Sequence, residues 1–273
     1  MAIEDERGGS MSPAAPIVLA VKDMSIRFGG LTAVTSMTFD VHEGEVLSLI
    51  GPNGAGKTSA FNAITGYLEP AAGDIHYQGQ RINGFRPDAV SRLGVVRTFQ
   101  KTSLFGGQTV ADNVLIASHK RSTQRPLAIM LGLASIGRDE RALAEHAREA
   151  LAFVGLDGRD DELASALPYG EQRLLEVAIA LAAEPKLLLL DEPVSGMNPS
   201  EKASFMATIG RIRLRGITIV LVEHDMRTVM GASDRVICLN QGHIIANGTP
   251  AEIQRHPEVI RAYLGERSTR ARA

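Results

Sequence analysis

Gly51-Pro52-Asn53-Gly54-Ala55-Gly56-Lys57-Thr58 constrains this chain more than any other stretch. It follows the apolar run Val46–Ile50 and opens a segment with helical texture at Lys57. A glycine-rich turn of this spacing between a strand and a helix lets backbone N–H groups point inward and cradle phosphate oxygens. The helix N-terminus adds partial positive charge at the same place. In this arrangement Lys57 reaches the outer phosphates, the Thr58 hydroxyl ligates Mg²⁺, and Ser59 completes the lining. The match is full in sequence and in local context, so a chance Gly-rich turn is a poor alternative.

The rest of the chain supplies the core such a loop needs. Apolar runs rich in β-formers recur at Leu187–Leu190, Ile217–Val222 and Val236–Leu239, and helical segments separate them. This alternation predicts an α/β protein with a mostly parallel, buried sheet. Short strand pieces are expected at Met24–Phe28 and Met37–Val41, and a hairpin at Asp74–Gln80. Leu115 to Gly155 is rich in Ala, Leu, Arg and Glu at helical spacing, without a strand candidate, and reads as an all-helical insertion. The predicted division is a tail at 1–15 that is disordered, a core at 16–100 and 170–250, a helical unit at 101–169, and a C-terminal helix and tail at 251–273. Within it, Arg267 to Ala273 is expected to fray.

Composition narrows the function classes. The chain has 273 residues and a formal net charge of −2, with 4% aromatic residues and no Trp. A near-neutral chain poor in aromatics lacks the electrostatic footprint and stacking platforms of a nucleic-acid binder. One Cys permits no disulfide within the chain. No apolar run approaches the ~18 residues of a spanning helix. The acidic start Met1–Arg7 lacks the basic-then-apolar order of a signal peptide. The expectation is a soluble chain able to dock on a membrane protein.

Further residues gain meaning beside the phosphate loop. Leu187–Leu190 delivers Asp191 and Glu192 to the C-terminal end of a buried strand, where open α/β sheets place their ligands. One carboxylate there can bind Mg²⁺, and Glu192 can orient and deprotonate an attacking water. His224 ends the strand Ile217–Val222 at the same edge; it is either a polar terminus or a donor to a phosphate or that water. Gln100 sits where α/β texture gives way to helical texture. Leu167-Pro168-Tyr169-Gly170-Glu171-Gln172 opens a helix with an apolar stripe of Leu174, Val177, Ala178 and Leu181. Its N-terminus is either a simple cap or a second anion site.

In order, Gly51–Thr58, Gln100, Leu167–Gln172, Asp191-Glu192, Asn198 and His224 resemble the ATP-binding subunits of ABC transporters from about residue 17 to 265. The resemblance implies a P-loop, RecA-like ABC ATPase core with an antiparallel β subdomain and an inserted helical subdomain. It implies that Gln100 touches Mg²⁺ and the transmembrane partner, and that Phe28 stacks on adenine. Tyr169, Gly170 and Glu171 fall in the signature motif, which clamps the ATP of an opposite subunit. Glu192 resembles the catalytic glutamate, and His224 the switch histidine. Two such subunits would sandwich two ATP molecules on two membrane permease subunits, fed by an extracytoplasmic solute-binding protein. The chain would then sit at the cytoplasmic face of the inner membrane, with no role for nucleic acid.

Two residues depart from the family pattern. Pro168 replaces the usual signature Ser, and Asn198 the usual Asp of the loop after the catalytic glutamate. Tyr169–Glu176, Gly196–Pro199, Glu223–Met226, Asn240–Pro250 and Val259–Gly265 resemble the branched-chain amino acid importer group, and within it the larger ATPase subunit, which pairs with a second, different ATPase. A homodimer is the other arrangement. Relatives of that group import urea, short amides and aromatic acids, so the resemblance leaves the solute open among these. A soluble ABC ATPase of DNA repair would need a long coiled coil between its halves, and a ribosome-associated one two phosphate loops; neither feature is present.

Overall fold

The computed structural model describes residues 15–98, 104–118 and 134–270, with backbone alone for 134–140 and 264–270. The expected tail at 1–15 (apart from Ala15) and Gln100 lie outside the described residues.

Two sheets form the frame. In the first, β1 (Ile17–Phe28) and β2 (Leu31–His42) make an antiparallel hairpin, extended by β4 (Ala72–Tyr77) and β5 (Gln80–Arg81) in the order β2-β1-β4-β5. The expected hairpin at Asp74–Gln80 is the β4–β5 pair. The strand pieces expected before Val41 are joined into two strands of 12 residues each. Irregularity hides their continuity. Asp23 and Ser36 adopt positive φ near the register shifts, and their N–H groups donate to Thr38 Oγ1 and Ser25 Oγ. Side chains thus satisfy the bulged backbone, and pairing resumes beyond it.

The second sheet has the order β10-β9-β3-β8-β7-β6. Its strands are β3 (Val46–Ile50), β6 (Val95–Arg97), β7 (Leu187–Asp191), β8 (Thr218–Val222), β9 (Arg235–Asn240) and β10 (His243–Gly248). All neighbours pair in parallel except β10, which runs antiparallel to β9 along one edge. Leu187 and Leu189 pack into a core shared with β1, β2, α1 (Lys57–Ile64) and α2 (Pro87–Arg92), whereas Leu188 and Leu190 pack into a core on the opposite face. Both faces of β7 are covered, so an uninterrupted Leu run is its natural sequence.

The second core is built with α3 (Val110–Ser118), α4 (Ala134–Val154), α5 (Tyr169–Ala182) and α6 (Pro199–Leu214). The chain enters this helical layer and leaves it at adjacent points. Val110 N–H donates to Glu162 O, Ala164 N–H donates to Gln108 O, and Thr109 bridges Leu163. A unit whose ends are stitched together fits an insertion into one α/β core. The stripe expected on α5 is broader than predicted: Leu175, Ala180 and Ala182 are buried as well, and Leu174 is only partly so. The helix is packed between layers, so a single apolar face does not describe it. A third core joins β9 and β10 to α7 (Met226–Ala232), α8 (Pro250–Arg255) and α9 (Pro257–Arg270). The last helix runs through Arg267 to Arg270, where fraying was expected.

Candidate active site

Three strand ends meet at one sheet edge. Leu49 of β3 is level with Val222 of β8, which is level with Asp191 of β7. The phosphate loop, Glu192 and His224 each begin one or two residues beyond that line, so parallel register alone gathers groups from distant parts of the chain.

The loop is moulded by its surroundings. Gly51 has φ +147°, and a Cβ there would lie 2.1 Å from Leu239 O. Gly56, with φ +106°, caps the start of α1; a Cβ on it would lie 2.6 Å from Ala33 O. Gly242 N–H donates to Ala55 O, and Thr35 N–H donates to Gly242 O. Backbone from β2 and from the β9–β10 turn therefore holds the loop from outside. Lys57 is buried, and its Nζ donates to Gly51 O at 2.6 Å and Pro52 O at 2.9 Å. The ammonium is drawn back over the loop that precedes it. Phe28 pairs with Leu31 at the tip of the β1–β2 hairpin and is half exposed.

The carboxylates differ in environment. Asp191 is 1% exposed, and its Oδ2 accepts from Arg97 Nη2 at 2.6 Å. Arg97 Nη1 donates to Asn62 Oδ1, and the guanidinium lies 5.6 Å from the Phe61 ring centroid. The other oxygen of Asp191, Oδ1, is buried without a hydrogen-bond partner. An orphaned buried carboxylate oxygen beside a phosphate loop suits a hard cation or a water bound to one. Among the described residues no group of three or more His, Cys, Asp or Glu forms a cage. Mg²⁺ needs none, since it is commonly held by one or two side chains together with substrate phosphates.

Glu192 has φ +48°, a left-handed conformation rare for a non-glycine residue. Its N–H donates to Val222 O at 2.9 Å, and its Oε1 lies 3.9 Å from His224 Nδ1. The turn thus brings this carboxylate beside His224 at the end of β8. Glu223 underlies the pair. It is fully buried; Oε1 accepts from Val194 N–H and Oε2 from His224 N–H. Burial is the main influence on its carboxyl and raises the pKa, against the lowering effect of these backbone donors and of His224.

The start of α5 lies beside the loop that follows β7. Pro168 is its N-cap and offers no side-chain cap bond, so the simple-cap alternative finds no capping side chain. Gly170 is buried where a Cβ would come within 3.0 Å of the Glu201 side chain. Glu171 pairs with Arg159 at 3.1 Å. Asn198 caps α6: it accepts from Ser200 and Glu201 N–H, and Glu201 returns a bond to Asn198 N–H. Asn and Asp are equivalent as N-caps, so the departure at 198 leaves this capping box intact.

A family profile described as "ABC transporter" matches residues 34–195. A high-affinity branched-chain amino acid transport ATP-binding protein of Pseudomonas aeruginosa, BraF, is 42% identical over 250 residues, which is 91% of this chain and 98% of that protein. The chain belongs to the ABC transporter family. The high-affinity branched-chain amino acid transport ATP-binding proteins LivG of Salmonella typhimurium and Escherichia coli are 43% and 42% identical over the same shares. A second profile, described as "Branched-chain amino acid ATP-binding cassette transporter", matches residues 243–268. Among solved structures, the ADP form of the ATP-binding cassette MJ1267 superimposes with a TM-score of 0.81 at 28% identity, covering 92% of this chain and all of that one. The chain is thus an ABC transport ATPase with the P-loop ABC fold, and the soluble non-transport reading is not favoured. As such it binds nucleotide, dimerises and associates with membrane permeases. Among the described residues, no helix is long and apolar enough to cross a membrane.

Two residues that support the site of this ABC cassette, Arg97 and Glu223, carry no mark in the sequence. Arg97 and Glu223 reach the site from 94 and 29 residues away from their partners Asp191 and Val194. The left-handed backbone of Glu192 carries no compositional mark, because its residue type is not one that usually signals positive φ.

Proposed function

We propose that this chain is one of the ATP-hydrolysing subunits of an importer for branched-chain amino acids or closely related small solutes, with urea, short amides and aromatic acids as the nearest alternatives. The observation that carries the solute class is the similarity of 42–43% along 98% of BraF and LivG. The complex would join it at the cytoplasmic face of the inner membrane to two permease subunits and a second ATPase, either a sister chain or a second copy. An extracytoplasmic binding protein would deliver the solute. The domain division follows the sequence: core at 16–100 and 170–250, helical unit at 101–169, and C-terminal segment at 251–273.

In this reading the backbone N–H groups of Gly51 to Ser59 surround the phosphates of ATP. Lys57 exchanges the Gly51 and Pro52 carbonyls for outer phosphate oxygens, and Phe28 stacks on adenine. Thr58, Asp191 and Gln100 hold Mg²⁺, which supplies charge neutralisation on the phosphates. Asp191 presents Oδ1 to this role because Arg97 occupies Oδ2. Glu192 accepts a proton from the water that attacks the γ-phosphorus, as the bond to the β,γ-bridging oxygen breaks. His224 donates a hydrogen bond to the γ-phosphate or to that water. The start of α5 at Tyr169, Gly170 and Glu171 faces the nucleotide of the second cassette.

Uptake of labelled leucine, isoleucine and valine by source cells lacking this chain tests the reading. Loss of uptake, restored by the wild-type chain but not by Lys57→Ala, is the expected result. Intact uptake of all three with loss of urea, amide or aromatic-acid uptake would overturn the solute assignment. Intact uptake of every solute tried would overturn import.

A further inference from the structure

The loop Pro193–Asn198 is fastened on two sides. On one side Glu223 accepts from Val194 N–H. On the other stands Tyr169, the first residue of α5. Its hydroxyl donates to Ser195 O at 2.9 Å, and the same oxygen accepts from Arg173 Nε at 3.1 Å and Nη2 at 2.9 Å. A phenol has one proton, and a guanidinium can only donate. The two arginine N–H groups fill the acceptor side of the oxygen, which leaves the hydroxyl proton one direction, toward Ser195. Arg173 is itself fixed: it is buried, and its Nη1 donates to the buried Glu176 carboxylate at 2.8 Å. Its guanidinium also lies 5.3 Å from the Tyr169 ring centroid. Gly196 has φ +79°, and a Cβ there would come within 3.3 Å of the ring, so the loop backbone rests on the phenol.

We propose that Tyr169 is a positioning residue for hydrolysis: its hydroxyl, aimed by Arg173, locks the loop Ser195–Asn198 to the N-terminus of α5. The hydrogen bonds of the phenol are spent inside its own chain. Through Glu223 the same loop is joined to the strand ends that carry Glu192 and His224, so the catalytic edge and the start of α5 move as one body. This rests on the reading above, in which the start of α5 serves the nucleotide of a second cassette.

Tyr169→Phe removes the hydroxyl and keeps the ring. Amide exchange at Gly196 and Met197 in the isolated chain should quicken by about three- to tenfold, the weight of one hydrogen bond, with β3 unchanged. In the assembled transporter kcat should fall by a similar factor, while the ATP affinity of the isolated chain stays put. Unchanged exchange would overturn the lock, and faster exchange with unchanged kcat would overturn its role in hydrolysis. Loss of ATP affinity in the isolated chain would overturn the underlying reading instead, since it would put Tyr169 in its own chain's nucleotide site. Should Tyr169→Phe fold poorly, Arg173→Lys keeps a charge beside Glu176 but loses the fork that aims the hydroxyl. The same exchange and kcat changes, smaller in size, are then expected, and their absence overturns the proposal.

Discussion

Glu192 offers a way to test whether the backbone aims the catalytic carboxylate. Its φ of +48° places an L-residue where the left-handed conformation costs about 1–2 kcal/mol. Glu192→Ala and Glu192→Gly both delete the carboxylate and its 3.9 Å approach to His224, so their difference isolates the backbone. Alanine keeps the left-handed penalty and glycine sheds it. Glycine in turn loses about 0.5–1 kcal/mol through its greater freedom in the unfolded chain. The balance favours Glu192→Gly by about 0.5–1 kcal/mol, the reverse of the order found within helices and strands. For a domain of this size that is a melting difference of about 2 °C. Parallel thermal and urea melts of the two variants supply the measurement, and neither should turn over ATP. If Glu192→Ala is the more stable, residue 192 is not held in a left-handed turn, and the direction of its side chain needs another origin.

Three more perturbations probe the same edge. Glu192→Gln keeps the shape and loses the base, so it should bind ATP but hydrolyse it about 10²–10⁴-fold more slowly; near-normal steady-state turnover would remove Glu192 from that role. Lys57→Ala should fail earlier, at nucleotide binding, and unchanged affinity in a fluorescent-nucleotide titration would count against the loop assignment. Glu223→Gln tests the buried carboxylate. Because burial raises its pKa above the ordinary 4.5, the wild type draws its full benefit from protonation below that value and loses it as pH rises through the higher folded value. The stability of Glu223→Gln relative to wild type should therefore improve between pH 4 and pH 8, as followed by urea melts, and a flat or falling difference would contradict the sign.

The parts of the fold legible in the sequence are those written locally. Gly51–Thr58 carries its own geometry, and Leu187–Leu190 announces a strand covered on both faces. The hairpin β1–β2 looks fragmented in the sequence because Asp23 and Ser36 interrupt the alternation that marks a strand. Their bulges are satisfied by Thr38 and Ser25, which lie 15 and 11 residues away and carry no local signal. The supporting contacts of the site were illegible for the same reason. Arg97 meets Asp191 across 94 residues, and Tyr169 meets Ser195 across 26. Such pairs depend on which strands become neighbours, and one sequence does not disclose that. The breadth of α5 burial likewise depends on the layers that close over it.

The external support of the phosphate loop has an entropic consequence. Gly51 sits against Leu239 O, Gly56 against Ala33 O, and Gly242 is bonded to Ala55 O. The concavity is therefore set when the chain folds, and an incoming anion finds its donors already arranged. Little ordering remains to be done at the moment of binding, so more of the contact energy appears as affinity. The same support makes Gly51 and Gly56 intolerant of any side chain, because each abuts a main-chain oxygen that belongs to a strand or its end. Nucleotide recognition is in this sense a by-product of how two sheets are packed, and a substitution in β2 or β9 that never touches ATP can still spoil its fit.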